Sequence, residues 1–253
     1  RKVTPRRQAY RLKSFVKLAP PIGDYKLYHE HPPIGEMKLC AGRKHYDLIL
    51  KLQPVPEKDR VGQKARKTMR IADQWQDFEI LDTSSGEKLE RWGNTILIRP
   101  DPQVIWRPEK GPEWQKADAR YNRSSAGGGS WQIYRSHPQF WTIGYRDLKF
   151  KISPTGFKHT GLFPEQAVNW DFFREKIEKA GRPIRVLNLF AYTGGATLAC
   201  AAAGAAVCHV DASKGMVAWA RENQQLSGLG EKPIRWIVDD CQKFVEREIR
   251  RGS

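Results

Sequence analysis

The residues with the clearest chemical potential form a glycine-containing turn and an acid that follows it. An apolar run at residues 186–189 leads into a turn that ends in Gly194 and Gly195, an Ala-rich segment follows to Gly204, and a second apolar run ends at Asp211. This order predicts a strand, a turn, a helix, a second strand and a carboxylate. Glycines let a backbone approach a ligand, a helix N-terminus attracts anionic groups, and a carboxylate can accept ribose hydroxyls. The pattern therefore predicts a site for a nucleoside-bearing cofactor.

The turn lacks the glycine pattern of a dinucleotide site. A dinucleotide fingerprint requires G-x-G-x-x-G, whereas residues 191–196 read A-Y-T-G-G-A and have no first glycine. Fewer glycines leave less room for a pyrophosphate. A nicotinamide-dependent dehydrogenase is therefore disfavoured, and a purely structural βαβ unit stays open as an alternative.

Two segments match the motifs of a known family. Residues 188–195, N-L-F-A-Y-T-G-G, are similar to an N-x-F-x-Y-T-G turn, and residues 158–166, K-H-T-G-L-F-P-E-Q, are similar to a K-T-G-x-F-x-D-Q-R signature. Both motifs resemble those of class I S-adenosylmethionine-dependent methyltransferases, in a bacterial family that acts on ribosomal RNA. The second segment departs from its signature, because His159 is inserted and Ala167 replaces the arginine.

The resemblance implies S-adenosylmethionine as the cofactor and a set of contacts to it. It assigns the turn to the methionine end, Asp211 to the ribose hydroxyls and Asp240 to the adenine amino group. A helix cap is the alternative for either acid, and a surface or C-cap position is the alternative for Asn223. The predicted cofactor-binding residues are Gln166, Asn188, Phe190, Tyr192, Thr193, Gly194, Asp211, Ala212, Asn223, Asp240 and Cys241.

One family motif is missing from the sequence. Members of the family continue into a fourth strand that ends in D-P-P-K and lines the methyl-acceptor pocket, and no D-P-P occurs here. No catalytic base can be named, and enzymatic activity is expected only if the missing acceptor motif is supplied. Because only the first half of the methyltransferase sheet is present, we expect further residues or another chain to cover the open central edge.

Positive charge is concentrated at the N-terminal end of the chain. Residues 1–70 contain 18 Lys and Arg against 6 Asp and Glu, a net +12 of the total +16. Phosphates favour such clusters through counterion release, so this segment is predicted to bind RNA, with a solvated arm or a targeting remnant as the alternative. The predicted nucleic-acid-binding residues are Arg1, Lys2, Arg6, Arg7, Arg11, Lys64, Arg66, Lys67 and Arg70.

Cysteine usage and hydropathy indicate a reducing, intracellular setting. The 4 cysteines form no C-x-x-C pair, which predicts neither a disulfide framework nor a metal site. No apolar run approaches the ~20 residues of a membrane helix, so no membrane partner is expected. Because the Arg-rich, acid-free beginning starts at Arg1 rather than Met, the mitochondrial matrix is favoured over a bacterial-type cytoplasm.

Three regions follow one another along the chain. Residues 1–72 are predicted to be a basic, extended nucleic-acid-binding segment with one strand candidate at 46–52, and residues 73–155 a small β-rich domain with a turn at 84–86. Residues 156–253 are predicted to be a truncated Rossmann-like S-adenosylmethionine-binding domain. Its alternating strands and helices indicate an α/β fold with a parallel sheet.

Two functions fit these observations. The first is methyl transfer from S-adenosylmethionine to RNA, with ribosomal RNA as the substrate that the resemblance implies. The alternative is a catalytically inactive, methyltransferase-like structural component of a ribonucleoprotein such as an organellar ribosome, in which other subunits would cover the open sheet edge.

Overall fold

Three short strands come first among the residues that the structure describes. The computed structural model describes residues 39–41, 44–46, 48–49, 70–125, 128–156 and 158–252. Strands β1 (Leu39–Ala41) and β2 (Lys44–Tyr46) pair antiparallel, and β3 (Leu48–Ile49) follows. The strand predicted at 46–52 is therefore found in part, and most of the basic segment 1–72 lies outside the described residues.

A five-stranded sheet dominates the front half of the chain. It contains β4 (Phe78–Ser84), β5 (Glu87–Trp92), β6 (Thr95–Pro100), β7 (Ala119–Arg123) and β8 (Gly129–Ile133) in that order, and only β6 and β7 pair in parallel. A separate antiparallel hairpin joins β9 (Trp141–Tyr145) to β10 (Leu148–Ile152). The predicted turn at 84–86 is present, because both Ser85 and Gly86 adopt the positive φ angles of a tight hairpin.

The C-terminal half alternates helices and strands, as the sequence predicts. Helix α1 (Ala167–Glu178) precedes β11 (Arg185–Leu189), α2 (Gly195–Ala202), β12 (Ala206–Asp211), α3 (Lys214–Leu226), β13 (Ile234–Val238) and α4 (Cys241–Arg251). Strands β11, β12 and β13 are parallel neighbours. The α/β, Rossmann-like fold class is thereby confirmed. None of the helices in the described part of the chain has both the length and the apolar character needed to cross a membrane.

The edge of β11 that the sequence leaves open is partly paired. Strand β3 lies parallel to β11, with Leu48 opposite Val186 and Ile49 opposite Leu187. The sequence predicts that further residues or another chain cover this edge, whereas at β3 a segment of the same chain pairs with it. Backbone N–H and C=O groups at a sheet edge need partners, and two residues of the same chain provide them here.

One aromatic cluster packs the front half against the α/β half. The ring of Trp170, on α1, lies 6.2 Å from Trp75, 5.7 Å from Tyr145 and 5.3 Å from Phe150, measured between centroids. The same buried cluster includes Leu198 of α2. The two predicted regions thus share a core, which fixes the front sheet relative to the cofactor motifs.

A buried ion pair stabilises the front sheet on the side that faces the α/β half. Glu90 is fully buried, and its carboxylate accepts hydrogen bonds from Arg99 at 2.5 and 3.0 Å and lies 3.0 Å from the Lys88 ammonium. Burial alone raises the pKa of Glu90, but the charges of Arg99 and Lys88 more than reverse this, so the net pKa is lowered. Arg99 also donates to the carbonyl oxygen of Lys158 at 3.1 Å.

Substitution of Glu90 by Gln should therefore destabilise the protein strongly. E90Q leaves the buried Arg99 without a counter-charge, and breaking a buried pair in this way costs about 3–5 kcal/mol in free energy of unfolding. Urea denaturation measures the change. The matched control is E79Q on the same sheet, because Glu79 is exposed and pairs with Arg91 at 3.3 Å, which is worth at most about 1 kcal/mol. Equal losses in the two variants would contradict the role given to Glu90.

The same pair predicts a pH dependence. Because the pKa of Glu90 is lowered in the folded protein, the stabilisation is fully present above the ordinary value of 4.5 and decreases as the pH falls through the folded-state pKa. The difference in free energy of unfolding between wild type and E90Q should accordingly narrow below about pH 4. Denaturation curves at pH 7, 5 and 3 test this, and a constant difference would rule out ionised Glu90 as its source.

Candidate cofactor-binding site

The turn between β11 and α2 has an unusual backbone. Phe190 and Tyr192 have φ angles of 55° and 52°, and Gly194 has a φ of 90°. Left-handed conformations cost a non-glycine residue about 1–3 kcal/mol and persist where surrounding contacts hold them, commonly at functional sites. The sequence motif places one glycine in this turn, but it does not show that two aromatic residues share the left-handed conformation.

Three consecutive backbone amides hold this turn in place. The N–H of Phe190 donates to Cys241 Sγ at 3.1 Å, that of Ala191 to the carbonyl oxygen of Val210 at 3.1 Å, and that of Tyr192 to Asp211 Oδ2 at 2.8 Å. All three acceptors lie at the end of β12 or the start of α4. The turn is therefore fixed by the neighbouring strand and by the start of α4 rather than by its own helix.

Asp211 faces the turn from the carboxyl end of β12. Its Oδ2 accepts from Tyr192 and its Oδ1 accepts from the N–H of Ser213 at 2.9 Å. A carboxylate has about four lone-pair positions, so two remain for a ribose diol. Ser213, not Asp211, caps α3, because its side chain accepts from the N–H of Met216 at 3.3 Å. Asp211 thus lies at the carboxyl end of a parallel strand with acceptor positions left over, and its contact with a ribose stays a prediction.

Asn223 is part of the structure beneath the site. It is completely buried on α3, where its Nδ2 donates to the carbonyl oxygen of Thr193 at 2.9 Å and its Oδ1 accepts from the N–H of Lys151 at 2.8 Å. Asn223 is therefore neither a surface residue nor a C-cap. It connects the turn to the front hairpin, and its amide is used by these two contacts.

Asn188 likewise faces inward. Its Nδ2 donates to Thr197 Oγ1 at 2.8 Å, and that hydroxyl lies 2.9 Å from His209 Nδ1. Burial lowers the pKa of His209 to about 4, so the imidazole is neutral at pH 7. These three buried side chains form a polar network between α2 and the sheet. The network was not predicted, because Thr197 and His209 lie in apolar runs that read as plain helix and strand.

Cys241 and Asp240 have separate roles at the start of α4. The Cys241 thiol is buried, which raises its pKa, and it lies between the Phe190 amide and the carbonyl oxygen of Val210. Asp240 is exposed and caps α4 by accepting from the N–H of Lys243 at 2.9 Å. The helix-cap interpretation of Asp240 is thus observed, and its contact with adenine stays a prediction.

The two glycines serve helix packing. A Cβ atom on Gly195 would lie 2.6 Å from Cζ2 of Trp170, and one on Gly194 would lie 3.1 Å from Cβ of Ala220. The expectation that these glycines bring the backbone close to a ligand is therefore incomplete. They allow α2 to approach α1 and α3, and that packing sets the position of the turn.

The second family segment touches the turn directly. Thr193 Oγ1 donates to the carbonyl oxygen of Gly161 at 2.5 Å, and Phe163 lies against Tyr192 with ring centroids 5.2 Å apart. Gly161 has a φ of 99°, and a Cβ atom there would lie 2.3 Å from the Trp219 ring. The two segments that resemble family motifs, residues 158–166 and 188–195, are thus adjacent in space.

The N-terminus of α2 suits the methionine carboxylate of S-adenosylmethionine, and the structure also places Phe190, Ala212 and Gln166. Gly194, the N-cap residue of α2, has no side chain to cap the helix, so the first-turn amides of α2 are suited to a carboxylate. Phe190 is 69% exposed at the strand end, and Ala212 is exposed beside Asp211. Gln166 lies at the start of α1, where its Oε1 accepts from Asn169 Nδ2 at 2.9 Å.

Most of the predicted RNA-binding residues lie outside the described residues. Of the nine, only Arg70 lies within the described ranges. Its guanidinium donates to Glu175 Oε2 at 2.7 Å and lies 5.0 Å from the Phe172 ring centroid. Arg70 thus contacts α1. Within the ranges that the structure describes, no group of three or more His, Cys, Asp or Glu side chains is arranged to hold a metal ion.

Substitution of Asn223 by Ala tests the connection beneath the turn. N223A leaves the Lys151 amide and the Thr193 carbonyl unsatisfied, which costs roughly 1–3 kcal/mol for each group. We expect a lower free energy of unfolding and weaker cofactor binding, measured by urea denaturation and calorimetry. N122A is the matched control, since Asn122 is exposed and donates only to Gln132. Unchanged stability in N223A would contradict this role.

Comparisons with known proteins agree with this geometry. Residues 106–244 match the family model for S-adenosylmethionine-dependent methyltransferases. A crystal structure of a SAM-dependent methyltransferase from Agrobacterium tumefaciens is 38% identical, with a TM-score of 0.67 over 88% of this chain and 66% of that one. Two curated relatives are named ribosomal RNA large subunit methyltransferase K/L. The Shewanella baltica protein is 38% identical over 98 residues, and the Magnetococcus marinus protein is 36% identical over 105 residues.

The matched region is a small part of those curated relatives. It covers 38% and 41% of this chain but only 13% and 14% of the two bacterial proteins.

Proposed function

Because the family model covers more than half of the chain, the protein belongs to the S-adenosylmethionine-dependent methyltransferase family, and we propose that it transfers the methyl group of that cofactor to RNA. S-adenosylmethionine is accordingly its cofactor. One observation carries the proposal: Asp211 faces a strained turn whose amides it helps to fix, at the carboxyl edge of a parallel sheet.

The residues on this chain bind and orient rather than activate. When bound, the cofactor supplies a methyl group already activated by its sulfonium. The protein therefore needs to hold that methyl in line with an acceptor atom, and a base is needed only if the acceptor must lose a proton. The described residues fit the holding role. The Asp211 carboxylate is suited to the ribose, and the uncapped N-terminus of α2 to the carboxylate.

Ribosomal RNA is the acceptor that the relatives favour. The curated relatives are named as methyltransferases of the large ribosomal subunit RNA, and the net charge of +16 independently favours a polyanion. We therefore propose ribosomal RNA as the substrate class. Ribonucleoprotein subunits as partners, and membership of an organellar ribosome, stay part of the alternative set out above.

Asp211 provides the test of cofactor binding. In D211N the side chain keeps its shape but loses its charge, and one of its two backbone contacts loses its acceptor. Affinity for S-adenosylmethionine should fall about tenfold to a hundredfold, the loss expected when hydrogen bonds to a charged group are removed. Isothermal titration calorimetry measures the dissociation constant.

Asp73 offers a control of the same chemistry. Asp73 is exposed and accepts only from Gln74 beside it, so D73N should bind the cofactor like wild type. If D211N and D73N have equal affinities, Asp211 has no part in cofactor binding. Circular dichroism of both variants separates a loss of fold from a loss of binding.

Methyl transfer itself tests the proposed activity. The chain is incubated with ribosomal RNA and with S-adenosylmethionine that carries a labelled methyl group, and incorporation into RNA is measured for wild type and D211N. We expect incorporation by wild type when the acceptor-pocket motif that the sequence lacks is supplied, and a marked loss in D211N under the same conditions. RNA binding without any cofactor binding would overturn the proposal in favour of the structural alternative.

We also propose that the protein works in a reducing compartment, with the mitochondrial matrix favoured. The described cysteines support the first part, because Cys200, Cys208 and Cys241 are all buried free thiols.

A further inference from the structure

Four cations converge on the front sheet beside the turn. Lys88 on β5, Arg99 on β6, Arg123 at the end of β7 and Lys158 before α1 together form what we call the Lys158 cluster. All four act on one imidazole. The pKa of His159 is lowered to about 4, first by burial and then by each of these four charges. The four side chains therefore all lie within electrostatic range of His159.

Two acids, Glu90 and Asp101, offset only two of the four positive charges of the Lys158 cluster. Glu90 pairs with Arg99 and Lys88, and Asp101 lies 3.8 Å from Lys88. Across the described ranges, no carboxylate oxygen lies within 4.0 Å of the Lys158 ammonium or of the Arg123 guanidinium. Burial and the neighbouring Arg123 lower the pKa of Lys158, and the more distant Asp101 reverses this only in part. A partly buried cation with no acid within salt-bridge distance is stabilised by an external anion.

Aromatic contacts connect this cluster to the cofactor site. The His159 ring lies 5.0 Å from the Phe163 ring, and Phe163 lies 5.2 Å from Tyr192, whose N–H is bonded to Asp211. Arg99 also holds the backbone at Lys158, because its guanidinium donates to the carbonyl oxygen of Lys158 at 3.1 Å. An anion held at Lys158 would therefore lie next to the turn and on the face of the front sheet.

Resting on the proposed function, we infer that Lys158 and Arg123 bind a phosphate of the acceptor RNA and direct the strand across the front sheet toward the turn. The cofactor's own carboxylate is the other anion nearby. The uncapped N-terminus of α2 is already suited to that carboxylate. Arg123 is exposed at a strand end, where a polyanion has access from outside.

The test compares two double variants of the full chain. K158Q/R123Q removes the two unpaired charges, whereas K232Q/R250Q removes two exposed charges from the far side of the α/β half. Binding of a fluorescently labelled ribosomal RNA fragment is measured by anisotropy at several salt concentrations, and S-adenosylmethionine binding is measured separately by calorimetry. The proposal predicts that K158Q/R123Q lowers the slope of log affinity against log salt by roughly 0.7–0.9, the value for one phosphate contact. The control slope and both cofactor affinities should stay at wild-type values.

Each other outcome counts against the assignment. An unchanged slope in K158Q/R123Q overturns it, and an unchanged slope with weakened cofactor binding identifies the anion as the cofactor carboxylate. Equal slope changes in both variants reduce the effect to net charge. If K158Q/R123Q shows the predicted decrease in slope but wild type binds no cofactor, the proposed methyl transfer fails while the phosphate site stands.

Discussion

The site depends on the three amide hydrogen bonds that hold residues 190–192 against the end of β12 and the start of α4. Two of these residues are non-glycine and left-handed, which is unfavourable for an isolated chain. The turn exists because a carbonyl, a carboxylate and a thiol from other elements accept its hydrogen bonds together. Asp211 thus shapes the turn with the same carboxylate that is proposed to bind the ribose.

Close packing places those acceptors. Gly194 and Gly195 have no side chains, so α2 can lie against Ala220 and Trp170, and Asn223 joins the turn to the front hairpin. Trp170 also belongs to the core that the front half shares with the α/β half. A change in this core would therefore move the turn. The same core holds the front sheet in a fixed position relative to the turn.

The charges follow the same arrangement. The buried Glu90–Arg99 pair stabilises the front sheet, and Arg99 also holds the backbone at Lys158. Arg70 is used differently, because Glu175 and Phe172 bind it to α1. Arg70, one of the predicted RNA-binding residues, is thus already paired within the fold.

The sequence by itself determined the α/β class, the parallel order of strands and helices, the hairpin at 84–86, and the identity of the turn and its acid. These features depend on local periodicity, on turn residues and on short motifs, all of which are encoded by neighbours along the chain. Only the tertiary structure decided that Asn188 and Asn223 face inward, that Cys241 supports the turn, that the glycines serve helix packing and that β3 joins the sheet. Each of these depends on contacts between residues far apart in sequence, and a linear motif records the type of a residue but not the partner that it meets after folding.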